Sequence, residues 1–320
     1  GRGSDPQSTV FGGASALKAG KPGLSMAASR LRVAVDAGAW EPEPTELDFL
    51  LSLFSSEERA ACMAFRRDDD KKRAIISRLL QRHAAAVCLG LDFHQLATTR
   101  TKGGKPFVKN PRPDAAPLNW NYSVSHEGRY VILCSESPAV VGCDVTAPRA
   151  HRPGQPQAML DFLKSFRAQL TPPEWDSIMA LQPDEAAMEA QFQRLWSLKE
   201  AYSKALGLGL AAPLGKASFS ISPDSSCASL CLSGAEREDW AFRLHKLPQG
   251  HWAAVARAPP AQIVDAHGVF SATLTRTDFE PEEWRGVLTA PEPAFALVPV
   301  CSLLPTQCLD NYEAAGGEIY

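Results

Sequence analysis

The chain has 320 residues, of which 45% are hydrophobic and 22% are charged, and its formal net charge is -3. A chain of this length can bury one large core or two moderate ones. Its weakly acidic balance gives no general attraction to nucleic acid or to an anionic membrane, so we expect neither as a partner and any anion site must be local. No window approaches the run of about 18 apolar residues that a membrane span needs, which predicts a soluble protein.

Eight cysteines are scattered along the chain. Several lie in apolar runs, for example Cys88 and Cys134, which is typical of reduced thiols in a core. Cys227 and Cys231 are four residues apart but lack a second pair, so the spacing disfavours a metal site there.

Residues 1–29 are rich in Gly, Ser and Ala, begin without Met, and contain Asp5 as their one acid. We expect this segment to be disordered, as a leader before Met26 or as an organelle-directing segment. We expect a cytoplasmic location, with plastid or mitochondrion as the alternative if residues 1–29 hold a transit peptide. Residues 31–36 alternate like a first strand, and residues 45–91 carry helical signals.

A run of mixed charge at 66–73 leads into a long predicted helix. A solvated helix start is its simplest interpretation, although Arg66 and Arg67 there could hold a phosphate together with the helix dipole. Residues 100–106 form a tight loop with two glycines and three cations, which also suits a phosphate. An exposed hairpin can carry the same residues, so the loop alone does not distinguish a phosphate site from a surface turn.

Residues 130–145 contain two short apolar runs joined by a turn-like stretch, which predicts an antiparallel hairpin with Tyr130 opposite Asp144. Such a hairpin brings His126 and Glu127 beside Asp144. A lone Asp at a strand end is more often a turn or cap residue. Converging carboxylates, however, repel each other unless a cation or proton lies between them, and oxygen ligands suit Mg2+.

A helix is predicted over residues 188–206, because apolar residues recur at three- and four-residue steps and Gly207 stands where a left-handed cap would end it. Trp196, Glu200 and Lys204 lie four apart and share the opposite face. An exposed ion pair is the simpler interpretation of the two charges. A large indole beside the two charges favours a position on the wall of a cleft. A second partner for this face is needed to decide between the two interpretations.

Several motifs resemble those of a known family when they are taken in order. They are Arg-Thr-x-x-Gly-Lys-Pro at 100–106, Ser-Val-Ser-His at 123–126, Gly-x-Asp at 142–144, Phe-x-x-x-Trp-x-x-Lys-Glu-x-x-x-Lys at 192–204 and Gly-x-Gly at 207–209. This order resembles the 4'-phosphopantetheinyl transferases of the Sfp type. More narrowly, it is similar to the eukaryotic branch that serves fatty acid synthase and aminoadipate semialdehyde dehydrogenase.

The resemblance implies an enzyme that transfers 4'-phosphopantetheine from coenzyme A to a serine of an apo acyl carrier protein or carrier domain, releasing adenosine 3',5'-bisphosphate. It assigns Asp144, Glu200 and Glu127 to Mg2+ and Lys204 to the diphosphate. Thr146 stands where bacterial Sfp enzymes have a second acid, which puts metal ligation there in doubt. The implied coenzyme A contacts are Arg67 (or Arg66), Arg100, Thr101, Lys102, Gly103, Gly104, Lys105, Ser123, Val124, Ser125, His126 and Lys204.

The chemistry itself asks for a general base, because a serine hydroxyl is a poor nucleophile until a group accepts its proton. We predict Glu200 in that catalytic role, directly or through a metal-held water. Lys204, one turn away, is predicted to stabilise charge on the leaving phosphate.

The family fold is α+β, with two pseudo-symmetric halves and the active site in the cleft between them. We expect residues 30–143 and 144–258 to form the halves of a monomer. The Pro-rich residues 259–320 are expected to form an extended tail, partly packed on the body and partly mobile. A helix at 155–166 and a capped helix start at 170–175 would face the carrier protein in the family, although ordinary packing explains them equally well.

Two other classes remain open. One is a Mg2+-dependent nucleotide hydrolase, which the absence of a Gly-x-x-x-x-Gly-Lys-Ser/Thr loop disfavours. The other is a module that binds coenzyme A or a carrier protein without turnover.

Overall fold

The structure is a computed structural model that describes residues 29–149 and 159–320. The expected leader, apart from Ser29, and the start of the helix expected at 155–166 lie outside the described residues. The helices are α1 (Pro44–Ser52), α2 (Ser56–Met63), α3 (Asp68–Leu89), α4 (Met159–Ser165), α5 (Pro172–Met179), α6 (Glu185–Leu206), α7 (Pro281–Thr289) and α8 (Thr306–Ala314). The strands are β1 (Arg32–Asp36), β2 (Thr98–Arg100), β3 (Pro106–Val108), β4 (Asn121–Glu127), β5 (Tyr130–Glu136), β6 (Val140–Thr146), β7 (Ala217–Ile221), β8 (Cys227–Leu232), β9 (Ala235–Glu236), β10 (Ala241–Lys246), β11 (Trp252–Ala258) and β12 (Ala296–Leu297).

Two large sheets, each covered by helices on one face, confirm the predicted α+β class, and β2 and β3 pair as a small separate sheet. The first has the strand order β12-β1-β5-β4, and the second runs β6-β11-β10-β8-β7 with β9 beside β8. One core joins the first sheet to α1 and α3, and another joins the second sheet to α4, α5 and α6. The other faces of the two sheets pack on each other through residues such as Ile132 and Val255. Both sheets are therefore inner layers, with helices outside.

The hairpin predicted at 130–145 is wrong. Strand β5 pairs with β1 and β4, whereas β6 pairs with β11 and sets Asp144 opposite Ala254. Tyr130 lies opposite Glu127 on β4. Both β5 and β6 are buried on both faces, so their continuous apolar pattern does not identify a pairing partner. The chain between them crosses from one sheet to the other.

Side chains of β4 connect the two sheets where backbone pairing stops. Asn121 Oδ1 accepts from the backbone N–H of Val141 at 2.9 Å, and Ser123 Oγ accepts from that of Cys143 at 3.0 Å. Residues two apart on a strand share one face, so successive polar side chains reach β6. The end of β4 is thereby held against Asp144 without a hairpin.

Helix α6 lies close against β6 because Gly142 has no side chain. A Cβ atom at this position would lie 2.0 Å from the carbonyl oxygen of Ala201 and 2.4 Å from the nitrogen of Ala205. Helix α6 begins after Asp184, whose side chain accepts from the N–H of Ala187, and ends at Gly207 with φ +77°. The predicted helix and its glycine cap are confirmed, and the close approach brings its middle turns to β6.

The tail beyond residue 258 is folded, contrary to the expected extended chain. It contains α7 and α8, and β12 pairs in parallel with β1. Several of its prolines stand at helix starts, as Pro281 does at the first position of α7, where a missing N–H costs no helical hydrogen bond. Tyr312 and Leu303 belong to the core of the first sheet. The tail therefore returns to the first half of the molecule.

No helix within the described ranges has the length and apolar character that crossing a membrane requires.

Candidate active site

A cleft with two adjoining cavities lies between β4, the 100–106 loop and α6. The smaller cavity, of about 270 Å³, is lined by the loop, by Ser123 and by the glycines that follow α6. The larger, of about 470 Å³, is lined by residues that include His126, Glu127, Asp144 and Trp196. Both are lined by Arg100, Val124, Glu200 and Lys204. A long ligand can therefore extend from one cavity to the other past the face of α6.

Asp144 and Lys204 form the centre of the cleft. The Lys204 ammonium donates to Asp144 Oδ1 at 2.6 Å and to Ser125 Oγ at 2.8 Å. The Ser125 hydroxyl in turn donates to the same carboxylate oxygen at 2.8 Å. Asp144 is only 6% exposed, so its charge is compensated here by one ammonium and one hydroxyl. The residues come from β6, β4 and α6, as the sequence predicted.

Glu200 lies one helical turn before Lys204 and faces the same cavities. Burial raises the pKa of its carboxyl above the ordinary value, Asp144 and Glu127 raise it further, and Lys204 acts in the opposite direction. The three carboxylates are therefore close enough to affect one another. Glu127 also accepts from the backbone N–H of Ala147 at 3.1 Å. Lys204 pairs with Asp144, and the Glu200 and Glu127 carboxyls act on each other as like charges.

Hard carboxylate oxygens that repel one another fit a divalent cation. Yet within the described residues no three His, Cys, Asp or Glu side chains already stand as a metal cluster. The Lys204 ammonium lies against Asp144, so a cation bound by Asp144, Glu200 and Glu127 would require this ammonium to turn toward another anion. Thr146 stands at the position where the sequence put metal ligation in doubt. It is buried, and its hydroxyl lies within hydrogen-bond distance of the carbonyl oxygens of Gln193 and Trp252.

The 100–106 loop is a turn closed by its own residues. Thr101 accepts from the N–H of Lys105 at 3.1 Å through its side chain, and Arg100 donates to the carbonyl of Gly104 at 2.9 Å. Arg100 and Lys102 are exposed, and Gly103 and Gly104 line the smaller cavity. Lys105 differs from the expectation, because its ammonium is buried and donates to the carbonyl of Val141 at 2.6 Å.

The second predicted binding segment lies on β4. Val124 lines both cavities, whereas Ser123 is buried with its hydroxyl bound to the backbone N–H of Cys143. His126 lines the larger cavity. Its pKa is lowered by reduced solvation in the cleft and by the positive charges of Arg73 and Lys204. A neutral imidazole is thus favoured until an anion binds nearby.

The start of α3 does not reach the cavities, although the resemblance implies a coenzyme A contact there. Arg67, the residue before α3, and Arg66 are exposed, and neither is among the described residues that line the two cavities. Ser77, two turns beyond Asp70, lines the larger cavity instead. Arg73 donates to the carbonyl of Gly128 at 2.8 Å and so ties α3 to the end of β4. The helical spacing of Asp70, Arg73 and Ser77 could have identified this face.

Trp196 confirms the cleft-wall interpretation of α6. It lines the larger cavity while its indole stacks on Phe192, with ring centroids 5.9 Å apart. Lys199, beside Glu200 in the same motif, points the other way. Its ammonium is fully buried and pairs with Glu174 at 2.8 Å. The motif at 192–204 did not indicate this buried ion pair. The buried Glu174 at a capping-box position was the available signal.

Comparison with known proteins agrees with this geometry. Residues 38–138 match the family "4'-phosphopantetheinyl transferase, N-terminal", and residues 140–256 match the "4'-phosphopantetheinyl transferase superfamily". The chain is 33% identical to a phosphopantetheinyl transferase of a Thraustochytrium species, over 73% of this chain and 79% of the relative. It is 30% identical to the human L-aminoadipate-semialdehyde dehydrogenase-phosphopantetheinyl transferase, over 72% and 75%. The transferase Sfp of Bacillus subtilis is 26% identical over 67% and 87%.

The two family matches divide at the crossing from β5 to β6, and together they contain all the cleft residues described above. The chain therefore belongs to the 4'-phosphopantetheinyl transferase superfamily and transfers the phosphopantetheine group of coenzyme A to carrier proteins.

Proposed function

We propose that coenzyme A lies along the cleft with its diphosphate beside Lys204, and that the carrier serine enters next to Glu200. The observation that carries this assignment is the meeting of Asp144 on β6 with Glu200 and Lys204 on α6. A diphosphate needs positive charge around it before an alcohol can attack. The cleft supplies Arg100 and Lys204, and Lys102 is exposed on the same loop as Arg100.

Mg2+ held by Asp144, Glu200 and Glu127 would neutralise the diphosphate and orient it, and three hard carboxylate donors suit that ion. When a diphosphate is bound, the Lys204 ammonium has a stronger anionic partner than Asp144 alone. Its release from Asp144 would free a carboxylate oxygen for the metal. Lys204 would then act twice, as a counter-ion for Asp144 in the empty cleft and as a phosphate ligand in the filled one.

The transfer forms one bond from the serine oxygen to the phosphorus next to pantetheine and breaks the bond from that phosphorus to the bridging oxygen of the diphosphate. Adenosine 3',5'-bisphosphate leaves with the bridging oxygen, and Lys204 stabilises its charge. Glu200 accepts the serine proton. The raised pKa of its carboxyl favours this role, because a stronger base accepts a proton from an alcohol more readily.

The partners follow from the same assignment. We propose apo acyl carrier proteins or carrier domains as acceptors, and the names of relatives point to an aminoadipate semialdehyde dehydrogenase as one of them. Helices α4 and α5 border the second half and are proposed to face the carrier. The halves share one chain and one sheet interface, which favours a monomer. A cytoplasmic location is proposed as well.

Mass spectrometry of an apo acyl carrier protein, incubated with this protein, coenzyme A and Mg2+, tests the transfer. A covalent gain of one phosphopantetheine is expected. A hydrolase or a binding module would leave the carrier mass unchanged, and that outcome would contradict the assignment.

Glu200→Gln tests the proposed base in the same assay. The amide cannot accept the proton, so we expect transfer to fall by about 100-fold or more, while calorimetry still detects coenzyme A binding. Glu185→Gln on the exposed first turn of α6 is the matched control and should retain full activity. Full activity of Glu200→Gln would remove this carboxylate from the mechanism.

A further inference from the structure

Lys105 lies in the proposed coenzyme A loop and lines the smaller cavity, but its ammonium is bound by backbone carbonyl groups. The residue is 4% exposed, and its Nζ donates to the carbonyl of Val141 at 2.6 Å and to that of Tyr122 at 3.5 Å. Both partners are neutral backbone oxygens on β6 and β4. Burial lowers the pKa of Lys105 to about 7, in keeping with a cation that has no carboxylate to compensate it.

A residue of the tail covers this ammonium. Phe270, only 1% exposed, places its ring centroid 5.5 Å from Lys105 Nζ. The same ring packs 5.5 Å from the ring of Phe107, which belongs to β3 immediately after the loop. The tail therefore holds the loop at Lys105 and at Phe107, and Phe270 lies beyond residue 256, where the family matches end.

The opposite wall of the smaller cavity is held by the tail as well. The backbone N–H of Val264 donates to the carbonyl of Leu206 at 2.9 Å, at the end of α6. The loop meets this wall so closely that a Cβ atom on Gly103 would lie 1.7 Å from the carbonyl oxygen of Gly207. The width of the cavity therefore depends on how the tail sets the loop against the end of α6.

A direct contact from Lys105 to a phosphate is the competing interpretation. It would require the ammonium to leave two carbonyl oxygens and an aromatic face. The exposed Arg100 and Lys102 on the same loop need no such change. The contacts of Lys105 favour a residue that fixes the loop.

We propose that Phe270 and Lys105 are positioning residues that set the coenzyme A loop against the end of α6, which makes the tail a working part of the nucleotide pocket. This rests on the proposed binding of coenzyme A in the cleft. Neither side chain touches the reacting atoms, so their loss should weaken coenzyme A binding more than it slows the transfer itself.

Phe270→Ala tests the tail contact. We expect the KM for coenzyme A to rise about tenfold, because a loop displaced by a fraction of an ångström loses aligned contacts, with kcat changed by less than about twofold. Phe270→Leu refills most of the volume and should restore the KM. Phe279→Ala is the matched control, since this tail aromatic packs on Trp284 away from the loop. Equal KM values for Phe270→Ala, Phe279→Ala and the parent protein would overturn the proposal.

Salt dependence separates positioning from direct phosphate contact. Lys105→Met should raise the Kd for coenzyme A but leave the slope of log Kd against log salt unchanged, because no phosphate contact is lost. Lys102→Met and Arg100→Met should each reduce that slope. A reduced slope for Lys105→Met would overturn its positioning role. Unchanged binding in Arg100→Met and Lys102→Met together would instead show that the proposed pocket itself is wrong.

Discussion

Two ionic clusters in this molecule differ in how their charges are balanced. The first is a buried network in which Glu136 accepts from Arg32 at 2.8 Å and from Arg257 at 3.0 Å, and Arg257 also donates to Glu292 at 2.6 Å. The second is the cleft, where Lys204 pairs with Asp144, and where Asp144 and Glu127 raise the pKa of Glu200. In the network each carboxylate pairs with two or more arginines, whereas in the cleft three carboxylates act on one another.

The pKa directions show the same difference. Burial alone would raise the pKa of Glu136, but the surrounding arginines lower it below the ordinary value. The pKa of Glu200 is raised by burial and by its acidic neighbours. A structural cluster thus supplies its own counter-charges, and a binding cluster leaves charge for a ligand to neutralise. The direction of the carboxyl pKa shift therefore distinguishes the two clusters better than burial does.

Breaking the buried network should have the largest effect on stability. Glu136→Gln leaves three arginines with one carboxylate, Glu292, in a largely buried site. We expect the free energy of unfolding, measured with urea, to fall by about 3–5 kcal/mol. Glu283→Gln removes the exposed pair with Arg276 and should cost less than about 1 kcal/mol. Equal small losses in both variants would mean that the buried network is not needed for stability.

Gly142→Ala should damage the cleft through packing. The new methyl group would collide with the backbone of α6 at Ala201 and Ala205, and displacing the helix moves Glu200 and Lys204 from Asp144. We expect a loss of about 1–3 kcal/mol in unfolding free energy and at least about a tenfold fall in kcat/KM. The control is Gly286→Ala in α7, where a Cβ atom meets nothing within 4 Å. Gly142→Ala with parental activity would show that the approach of α6 is not critical.

The smallest expected effect is a change in the pKa of Glu200, which tests whether the carboxylates of the cleft act on one another. Without Mg2+, the pKa of Glu200 measured by NMR titration should lie above its ordinary value, so the carboxyl keeps its proton to a higher pH than an exposed glutamate. Glu127→Gln removes one raising charge and should lower that pKa, by up to about one unit. Glu185→Gln should leave it unchanged. If Glu127→Gln does not move the pKa, the acids of the two halves are not coupled.

Much of this site could be predicted from the sequence, because its residues lie at regular spacings. Trp196, Glu200 and Lys204 share a helical face, and the apolar pattern with its glycine cap gave the helix. The convergence of Glu127 and Asp144 was also predicted, although through a hairpin that does not form. Strands buried on both faces show no alternation, so the pairing of β6 with β11 was not visible.

Other features depend on contacts between distant parts of the chain. The direction of Lys105 is set by carbonyl groups on two other strands and by Phe270 in the tail. The folded tail was hidden because prolines interrupt its apolar runs, and their positions at helix starts became clear only in three dimensions. Local patterns carry no record of such long-range contacts.

Whether Asp144 and Glu200 share one cation can be measured by calorimetric titration of Mg2+ in the presence of coenzyme A. We expect one bound ion per chain, with affinity reduced by about tenfold or more in both Asp144→Asn and Glu200→Gln, because each variant removes a carboxylate ligand of the same ion. Glu127→Ala should raise the Mg2+ requirement as well. Parental Mg2+ affinity in both Asp144→Asn and Glu200→Gln would contradict the claim that these acids share one cation.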